Sequence, residues 1–247
     1  AALLSSPDMP QREDLALRRC TSAGEALPPD IGRRWSELTG VDILDGIGST
    51  EMLHIFLSNR PGEVRYGTTG KPVPGYQVKI VGENNVEVPI GEIGELQVHG
   101  PTSAAYYWNN RERSCNTFLG PWTRSGDKYT ESADGYFTYC GRSDDMLKVG
   151  GIYVSPIEVE ASLCSHEAVL EVAVVGQADA DELIKPKAYV VLRPNMKASP
   201  ELATALQQHV KNQLAPFKYP RWIEFISELP KTATGKIQRF KLRNTHK

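Results

Sequence analysis

A short, charge-dense segment at residues 141–154 lies between two runs of residues that favour β-strands. The segment holds an arginine, two adjacent carboxylates, a lysine and a pair of glycines. Because a purely structural turn rarely needs so much charge, we interpret the segment as a boundary that also carries function. The residue patterns on its two sides differ, which predicts a mixed α and β (α/β) fold built in two parts.

The part before the segment is predicted to be rich in β-strands. Polar and apolar residues alternate at 77–81 and 95–99, as they do in half-buried strands, and glycine and proline break the runs between them. A helix is predicted at 31–38, opened by prolines and an acidic residue. A short strand at 41–45 is expected to end in a loop of small residues at 46–51.

The part after the segment is predicted to be a small α+β domain. Ser155 and Pro156 are typical of a helix start, and leucine and valine recur at helical spacing from residue 202 onward. The elements expected here are helix 157–163, strands 169–175 and 187–192, helix 200–214 and strand 222–226. We place the domain boundary at Asp144, which gives domains of residues 1–143 and 144–247.

Composition excludes several classes of function. A net charge of -2 over 247 residues gives no broad attraction to nucleic acid or to an anionic membrane. No apolar run approaches the roughly 20 residues of a membrane span. The four cysteines form no CxxC pair and the five histidines form no HExxH motif. We therefore expect a cytoplasmic protein with reduced thiols and with neither nucleic acid nor a membrane as a partner.

Residues 45–51 form the first cluster with chemical potential. A hydroxyl followed by a carboxylate at the end of a strand suits a nucleotide polyphosphate: Thr50 can donate to a phosphate oxygen, and Glu51 can hold Mg²⁺ directly or through water. Taken alone, the same residues also fit an ordinary strand-to-loop turn with solvated polar groups.

A second cluster ends at Asp127, fifteen residues before Arg142. A carboxylate can accept hydrogen bonds from both hydroxyls of a ribose, and a guanidinium can add a donor. The alternative is an aspartate in a turn, which is a common place for this residue. The third cluster is Lys236 at the end of a polar, glycine-bearing loop at 229–237, where a mobile cation could stabilise a developing phosphoryl anion. Taken alone, a lysine near a C-terminus is usually just a solvated surface residue.

In residue type, order and spacing, these clusters together resemble the adenylate-forming acyl- and aryl-CoA synthetases over nearly the whole chain. Residues 46–51 resemble their aromatic-Gly-x-Thr-Glu motif, with Ile47 in place of the aromatic residue. Residues 123–127 resemble Tyr-Arg-Thr-Gly-Asp, and 230–237 resemble Pro-Lys-Thr-x-x-Gly-Lys-Ile. The resemblance implies the β-rich C-terminal part of a large adenylation domain, followed by a small mobile α+β domain.

The resemblance also implies roles for individual residues, with ATP or AMP, Mg²⁺ and coenzyme A as ligands. Thr50 would touch a phosphate, Glu51 would serve Mg²⁺, and Lys236 would bridge the carboxylate substrate and the α-phosphate. The remaining nucleotide-binding positions are Ala23, Gly24, Glu25, Asp45 and Gly46 on the adenine side, and Asp127 and Arg142 on the ribose.

The resemblance further implies one active site used twice. After the acyl-adenylate forms, the small domain would rotate about Asp144, withdraw Lys236 and bring in Gly150 and Gly151, whose lack of side chains suits the thin pantetheine arm. Phe217 matches a position that stacks on the adenine of coenzyme A, although it fits a core residue equally well.

The acid substrate is indicated by the residues around the first cluster. Glycine at position 48 leaves room for a ring, and the run from Asp45 to Phe56 resembles the benzoate-CoA ligases most. The predicted pocket consists of Gly46, Ile47, Gly48, Leu53 and His54. We favour benzoate or a small substituted benzoate; 4-hydroxybenzoate, 2-aminobenzoate and other aromatic or medium-length acids remain open.

The phosphate loop and the large N-terminal subdomains of such synthetases are not found in this sequence, which also begins at Ala1 in a segment that resembles the middle of a protein. We therefore expect a fragment that is inactive alone. Its expected partner is the missing N-terminal half, either as a separate chain or as a part lost by proteolysis or cloning; homodimer formation by the intact enzyme is left open. The competing hypothesis is a non-catalytic nucleotide- or partner-binding module, which would keep Asp127 and Arg142 but need neither Lys236 nor the glycine pair.

Overall fold

The computed structural model describes residues 3–232 and 235–243 and divides the chain into two compact units, Ala1–Tyr139 and Cys140–Lys247. The mixed α and β fold class is confirmed. A domain boundary and hinge at Asp144 stay a prediction. Among the helices of the described residues, none is both long enough and apolar enough to cross a membrane.

The first unit contains a four-stranded sheet that carries the first predicted cluster. Its strands are, in spatial order, β1 (Cys20–Ser22), β2 (Ile43–Gly48), β3 (Ile55–Ser58) and β4 (Lys71–Pro72). β1 and β2 are parallel, so the chain must cross over between them, and helix α1 (Pro29–Thr39) lies in that crossover. The other two strand pairs are antiparallel.

Strand β2 continues through Gly46 and Gly48, where the sequence predicted a loop, so that prediction was wrong. These residues pair with β3, opposite Ser58 and Ile55. A Cβ at Gly46 would lie 2.9 Å from the carbonyl oxygen of Leu57, and one at Gly48 only 2.5 Å from that of His54. Glycine is therefore required here by the close approach of the neighbouring strand, a contact that local sequence patterns do not reveal.

The second sheet of this unit confirms the strand predicted from period-two alternation at 77–81. Its strands are β5 (Gln77–Val81), β6 (Gly94–His99), β7 (Phe118–Leu119), β8 (Trp122–Glu131) and β9 (Phe137–Arg142). Their order is β5-β6-β8-β7, and β9 also pairs with β8. A helix that the sequence did not predict, α2 (Arg111–Thr117), precedes β7 and begins at Asn110, whose side chain accepts a hydrogen bond from the Arg113 amide.

The second unit starts with a hairpin of β10 (Leu147–Val149) and β11 (Ile152–Val154). Its two-residue turn consists of Gly150 and Gly151, with φ of 58° and 84°. A two-residue hairpin turn with positive φ at both positions favours glycine, because other residues are strained there. The glycine pair thus has a structural reason that is independent of any ligand.

A three-stranded sheet forms the centre of the second unit. β12 (Val169–Ala178) is antiparallel to β13 (Ile184–Leu192), which is parallel to β14 (Trp222–Phe225). Alternate residues of β12 and β13 enter two separate cores, one on each face. Helices α3 (Pro156–Cys164) and α4 (Pro200–Gln213) cover one face, and α5 (Arg239–Arg243) contributes Leu242 to the other.

The helix boundaries in this unit follow the predicted signals. The Ser155 hydroxyl accepts a hydrogen bond from the Glu158 amide and starts α3, with Pro156 in the first turn. Leu206 and Val210 of α4 are fully buried, and Leu202 and Leu214 pack beside them. The leucine and valine stripe is therefore core, as expected from its helical spacing.

Candidate active site

Asp45 is a buried carboxyl in the middle of β2. Its Oδ1 atom has no hydrogen-bond partner among the described residues. Burial raises the pKa of Asp45 from 3.8 to about 6, although hydrogen bonds from the Leu27 backbone and the Ser22 hydroxyl work against that rise. A buried acceptor without a donor is costly, so its position is suited to a ligand that brings an N–H group.

The predicted adenine-side loop begins directly after the residue of β1 that pairs with Asp45. Ser22, the last residue of β1, is the register partner of Asp45. Ala23, Gly24 and Glu25 follow directly in an exposed turn, with a positive φ of 94° at Gly24. The structure therefore brings together two sets of residues that are twenty positions apart in the chain.

Glu51 lies just beyond β2 and is held by a second segment of the chain. The Tyr107 hydroxyl donates a hydrogen bond to Glu51 Oε1, and Arg113 Nη2 lies 3.8 Å from the same oxygen. Burial alone would raise the pKa of Glu51, but the hydrogen bonds from Tyr107 and Ser49 and the charge of Arg113 outweigh it and lower the pKa. Glu51 is thus kept ionised at neutral pH, as a cation ligand must be.

No sequence motif indicated Tyr107 or Arg113, because Tyr107 lies 56 residues along the chain from Glu51 and no local pattern links them. The backbone joins the same two segments: the Ala104 amide donates to the Glu51 carbonyl oxygen at 2.7 Å. The Arg113 guanidinium also lies 4.2 Å from the centre of the Tyr107 ring. Glu51 therefore has a fixed orientation before any ligand binds.

Thr50, Leu53 and His54 lie on an exposed turn next to Glu51. Thr50 is exposed, and its carbonyl oxygen accepts a hydrogen bond from Leu53, which has a positive φ of 63°. Of the predicted pocket residues, Leu53 is 79% exposed, His54 is also exposed and Ile47 packs partly against the core. Gly46 and Gly48 have a structural reason in their strand pairing, so their role in admitting a ring stays a prediction.

Asp127 is buried in β8 at an irregularity of the strand. Its amide donates to the Ser125 hydroxyl at 3.1 Å, and Gly126 has a positive φ of 75°. Pairing with β6 changes register at this point, between Glu95 and Gln97. Such bulges redirect side chains and are common beside active sites.

Tyr129 is a fully buried residue that is influenced by both buried aspartates, and no sequence motif indicated it. Burial raises its pKa well above 10, and the nearby charges of Asp127 and Asp45 raise it further. Its hydroxyl lies 3.1 Å from the Thr69 hydroxyl. The charges of Asp45 and Asp127 therefore both act on one buried tyrosine, although the two aspartates belong to different sheets.

In the second unit, the predicted residues lie at the end of a strand or on turns. Arg142 ends β9, and its Nε is 4.0 Å from Asp144 Oδ1, with both side chains largely exposed. Gly150 and Gly151 form the hairpin turn described above. Phe217 lies partly buried in a short turn, beside the same core as α4, so its stacking role stays a prediction.

Lys236 lies exposed on a loop that closes on itself. The Thr232 amide donates to the Lys236 carbonyl oxygen at 2.8 Å, and the Lys236 amide donates to the Thr232 hydroxyl at 3.1 Å. A backbone bridge between Lys231 and Ile237 joins the two sides of the loop. Ala233 and Thr234, which the predicted loop includes, lie outside the described residues.

The protein side chains suit a cation that takes most of its ligands from water and a bound substrate. Across residues 3–232 and 235–243, no three histidine, cysteine, aspartate or glutamate side chains are grouped so that they could hold a metal ion. Mg²⁺ commonly needs only one or two protein carboxylates, since water and substrate phosphates complete its coordination. Glu51 is able to supply that carboxylate.

Comparison with known proteins agrees with this arrangement. The family model described as "AMP-binding enzyme" matches residues 1–108, and the model "AMP-binding enzyme C-terminal domain" matches residues 158–236. Together they cover most of the chain. The chain therefore belongs to the AMP-binding enzymes, and the resemblance inferred from its motifs is confirmed.

Several relatives narrow the comparison within that family. The chain is 65% identical to the benzoate--CoA ligase of Thauera aromatica, over 99% of this chain and 46% of that protein. It is 51% identical to the 4-hydroxybenzoate--CoA/benzoate--CoA ligase of Rhodopseudomonas palustris, over 98% of this chain and 46% of that protein. The chain thus spans about half the length of the curated relatives it matches.

Solved structures show the same relationship. A benzoate CoA ligase from Burkholderia xenovorans LB400 superposes with a TM-score of 0.90 at 59% identity, covering 98% of this chain and 48% of that one. The anthranilate CoA ligase AuaEII, solved in complex with anthranoyl-AMP, has a TM-score of 0.90 at 53% identity, covering 100% and 48%.

Proposed function

We propose that this chain works with the N-terminal half of an aryl-CoA synthetase to join benzoate, or a small substituted benzoate, to coenzyme A. The observation that carries the proposal is the pair of carboxylates on and just beyond β2. Asp45 offers a buried oxygen that has no donor among the described residues, and Glu51 is an ionised carboxylate oriented by Tyr107. Together they suit an adenine amino group and a cation beside phosphate.

The reaction has two steps in which the bonds balance. In the first, a carboxylate oxygen of the acid attacks the α-phosphorus of ATP, and the bond to pyrophosphate breaks. In the second, the coenzyme A thiol loses its proton and attacks the acyl carbon, and AMP leaves. Each step develops negative charge, which fixed cations and hydrogen-bond donors stabilise.

We assign the described residues to these steps as follows. Thr50 donates to phosphate and Glu51 binds Mg²⁺, while Asp127 and Arg142 hold the ribose. Lys236 stabilises the charge at the α-phosphate during the first step. Gly150 and Gly151 serve the second step, after the second unit has rotated about Asp144.

Support for an aromatic acid comes from the relatives and from the chemistry of the residues that we predict to line its pocket. The names of three relatives that are at least half identical to this chain specify benzoate, 4-hydroxybenzoate or anthranilate. Ile47 and Leu53 offer apolar surface and His54 a polar edge next to the first cluster. We propose a cytosolic location, where the four free cysteines would stay reduced.

A chimeric synthetase tests the function. Residues 1–247 are joined behind the N-terminal part of the Thauera aromatica enzyme, in place of the stretch that this chain matches, and benzoate, ATP and coenzyme A are supplied. We expect benzoyl-CoA and AMP in equal amounts, with the intact Thauera enzyme as the positive control and its N-terminal part alone as the negative control. A folded chimera that binds ATP but forms neither product would favour a non-catalytic binding module.

A further inference from the structure

A cluster of four charged side chains lies in the second unit, next to the loop that carries Lys236. Arg239 Nη2 donates to both carboxylate oxygens of Glu160, at 2.9 and 2.8 Å. Arg239 Nη1 also lies 3.9 Å from Asp145 Oδ2, and Arg243 donates a hydrogen bond to the other oxygen of Asp145. The cluster therefore joins helix α3, helix α5 and the turn that follows Arg142.

Glu160 is the most buried member of this cluster. Its side chain is 11% exposed, and that of Arg239 is 17% exposed. Glu160 also accepts a hydrogen bond at 2.7 Å from the amide of Val174, on strand β12. Burial raises the pKa of Glu160, and the charge of Arg239 opposes that rise. Because a buried ion pair is expensive to desolvate, it is better suited to fixing an arrangement than to adding stability.

The short stretch of chain between Lys236 and this cluster is held by backbone contacts. Arg239 is the third residue after Lys236. Of the two residues between, Ile237 is bridged to Lys231, and the Gln238 amide donates to the Pro230 carbonyl oxygen at 2.8 Å. A displacement of Arg239 would therefore be passed directly to Lys236.

The other end of the cluster reaches the segment predicted as the hinge. Asp145 follows Asp144, and the amides of Asp145 and Met146 donate to the Arg142 carbonyl oxygen at 3.0 and 3.1 Å. Asp145 is thus fixed by its backbone to this turn and by its side chain to α5. No role for Asp145 follows from the sequence motifs.

We propose that Glu160, Arg239 and Asp145 are positioning residues for Lys236, which bind its loop to the turn at residues 142–146 so that the two move together. The inference rests on the proposed function for the role of Lys236, but its structural part stands alone. A swing that starts at Asp144 would then withdraw the lysine without a separate loop movement.

An ion pair on the other side of the loop that carries Lys236 offers a matched control. Lys231 Nζ contacts both carboxylate oxygens of Glu171, at 2.7 and 2.8 Å, and these two side chains are 37% and 41% exposed. An exposed ion pair contributes little to stability or position. Glu171→Gln therefore removes a charge pair at the same loop without disturbing the buried cluster.

Hydrogen exchange in the 247-residue chain tests the structural part. Glu160→Gln should speed exchange at the amides of Gly235, Lys236 and Gln238 by roughly tenfold or more, because local opening becomes easier. Glu171→Gln should change it less than about threefold. If Glu160→Gln speeds exchange equally in the central strands β12 and β13, the cluster supports the unit as a whole and the proposal is overturned.

The two half-reactions of the chimeric synthetase test the functional part. Glu160→Gln and Arg239→Gln should slow adenylation by roughly tenfold to a hundredfold, since small misplacements of a reacting group are costly. Thioester formation from supplied benzoyl-adenylate should stay unchanged, and Arg239→Lys should recover part of the adenylation rate. Equal losses in both half-reactions would contradict the proposal. An inactive wild-type chimera would instead count against the proposed function, while the exchange result would still decide the structural claim.

Discussion

The two units hold their functional groups in opposite ways. In the first unit, the candidate carboxylates are themselves buried or held: Asp45 and Asp127 are less than a tenth exposed, and Glu51 is fixed by Tyr107. In the second unit, Arg142 at the end of β9 and Lys236 on its loop are exposed, whereas the buried charges belong to Glu160 and Arg239.

This difference agrees with a division of labour between the steps of the proposed reaction. Groups that contact the nucleotide throughout both steps profit from being oriented in advance, since no reorganisation is then needed. Groups that must enter and leave cannot be buried in one arrangement. They can still be precise if the segment that carries them is rigid, and this is the role that we propose for the pair of Glu160 and Arg239.

The largest expected effect is at Glu51. In the chimeric synthetase, Glu51→Gln should slow adenylation by at least about a hundredfold, because a metal ligand supplies several kcal/mol of charge stabilisation. Glu92→Gln, an exposed carboxylate on a turn of the same unit, is the control and should leave the rate unchanged. An equally small effect at both positions would remove the basis for assigning Glu51 to a cation.

The charge of Asp45 is expected to lower the stability of the first unit while the residue contributes to nucleotide binding. Its folded-state pKa of about 6 exceeds the ordinary value of 3.8, so the folded protein binds more protons between these values. The first unit should therefore lose stability as the pH rises from about 4 to about 6, by up to about 3 kcal/mol. Asp45→Asn should remove this loss, giving a more stable protein at pH 7.5 that binds AMP more weakly.

Urea unfolding at pH 4.5 and 7.5 measures the effect at Asp45, and Asp134→Asn is a control of opposite sign. The Arg65 guanidinium holds the pKa of the Asp134 carboxyl far below its usual range, so its charge stabilises the fold above the unfolded pKa. Asp134→Asn should thus slightly weaken the fold at pH 7.5. If Asp45→Asn also weakens the fold at pH 7.5, Asp45 is not a buried charge that destabilises the protein.

The smallest effects are expected at the hairpin turn of the second unit. Gly150→Ala should cost about 1 kcal/mol of stability because alanine is strained at positive φ, whereas Gly150→Asn should cost less. Urea unfolding followed by circular dichroism measures both. If thioester formation falls in both variants, side-chain bulk matters, as proposed for the pantetheine path. If Gly150→Asn forms the thioester at the full rate, Gly150 is needed only for the backbone conformation of the turn.

Local signals in the sequence were enough for elements that depend on neighbouring residues. Alternation predicted β5, and a serine-proline pair predicted the start of α3. The stripe at Leu206 and Val210 predicted the buried face of α4. Each of these patterns reports a local periodicity or a cap, so no knowledge of the tertiary structure was needed.

Long-range contacts account for what the sequence missed. The extension of β2 through Gly46 depends on Ser58 in the next strand. The orientation of Glu51 depends on Tyr107, and the role of Asp145 became visible only through Arg243, 98 residues away. The chemical type of the site could therefore be inferred from motifs, whereas the residues that hold its groups in place could not.

The central claim is that one lysine of the second unit serves the first half-reaction and not the second. Lys236→Ala in the chimeric synthetase tests it, with Lys197→Ala, an exposed lysine of the same unit, as the control. Adenylation of benzoate should fall by about a hundredfold or more, while thioester formation from supplied benzoyl-adenylate should stay within about threefold of the unaltered chimera. Equal losses in the two half-reactions would contradict the claim.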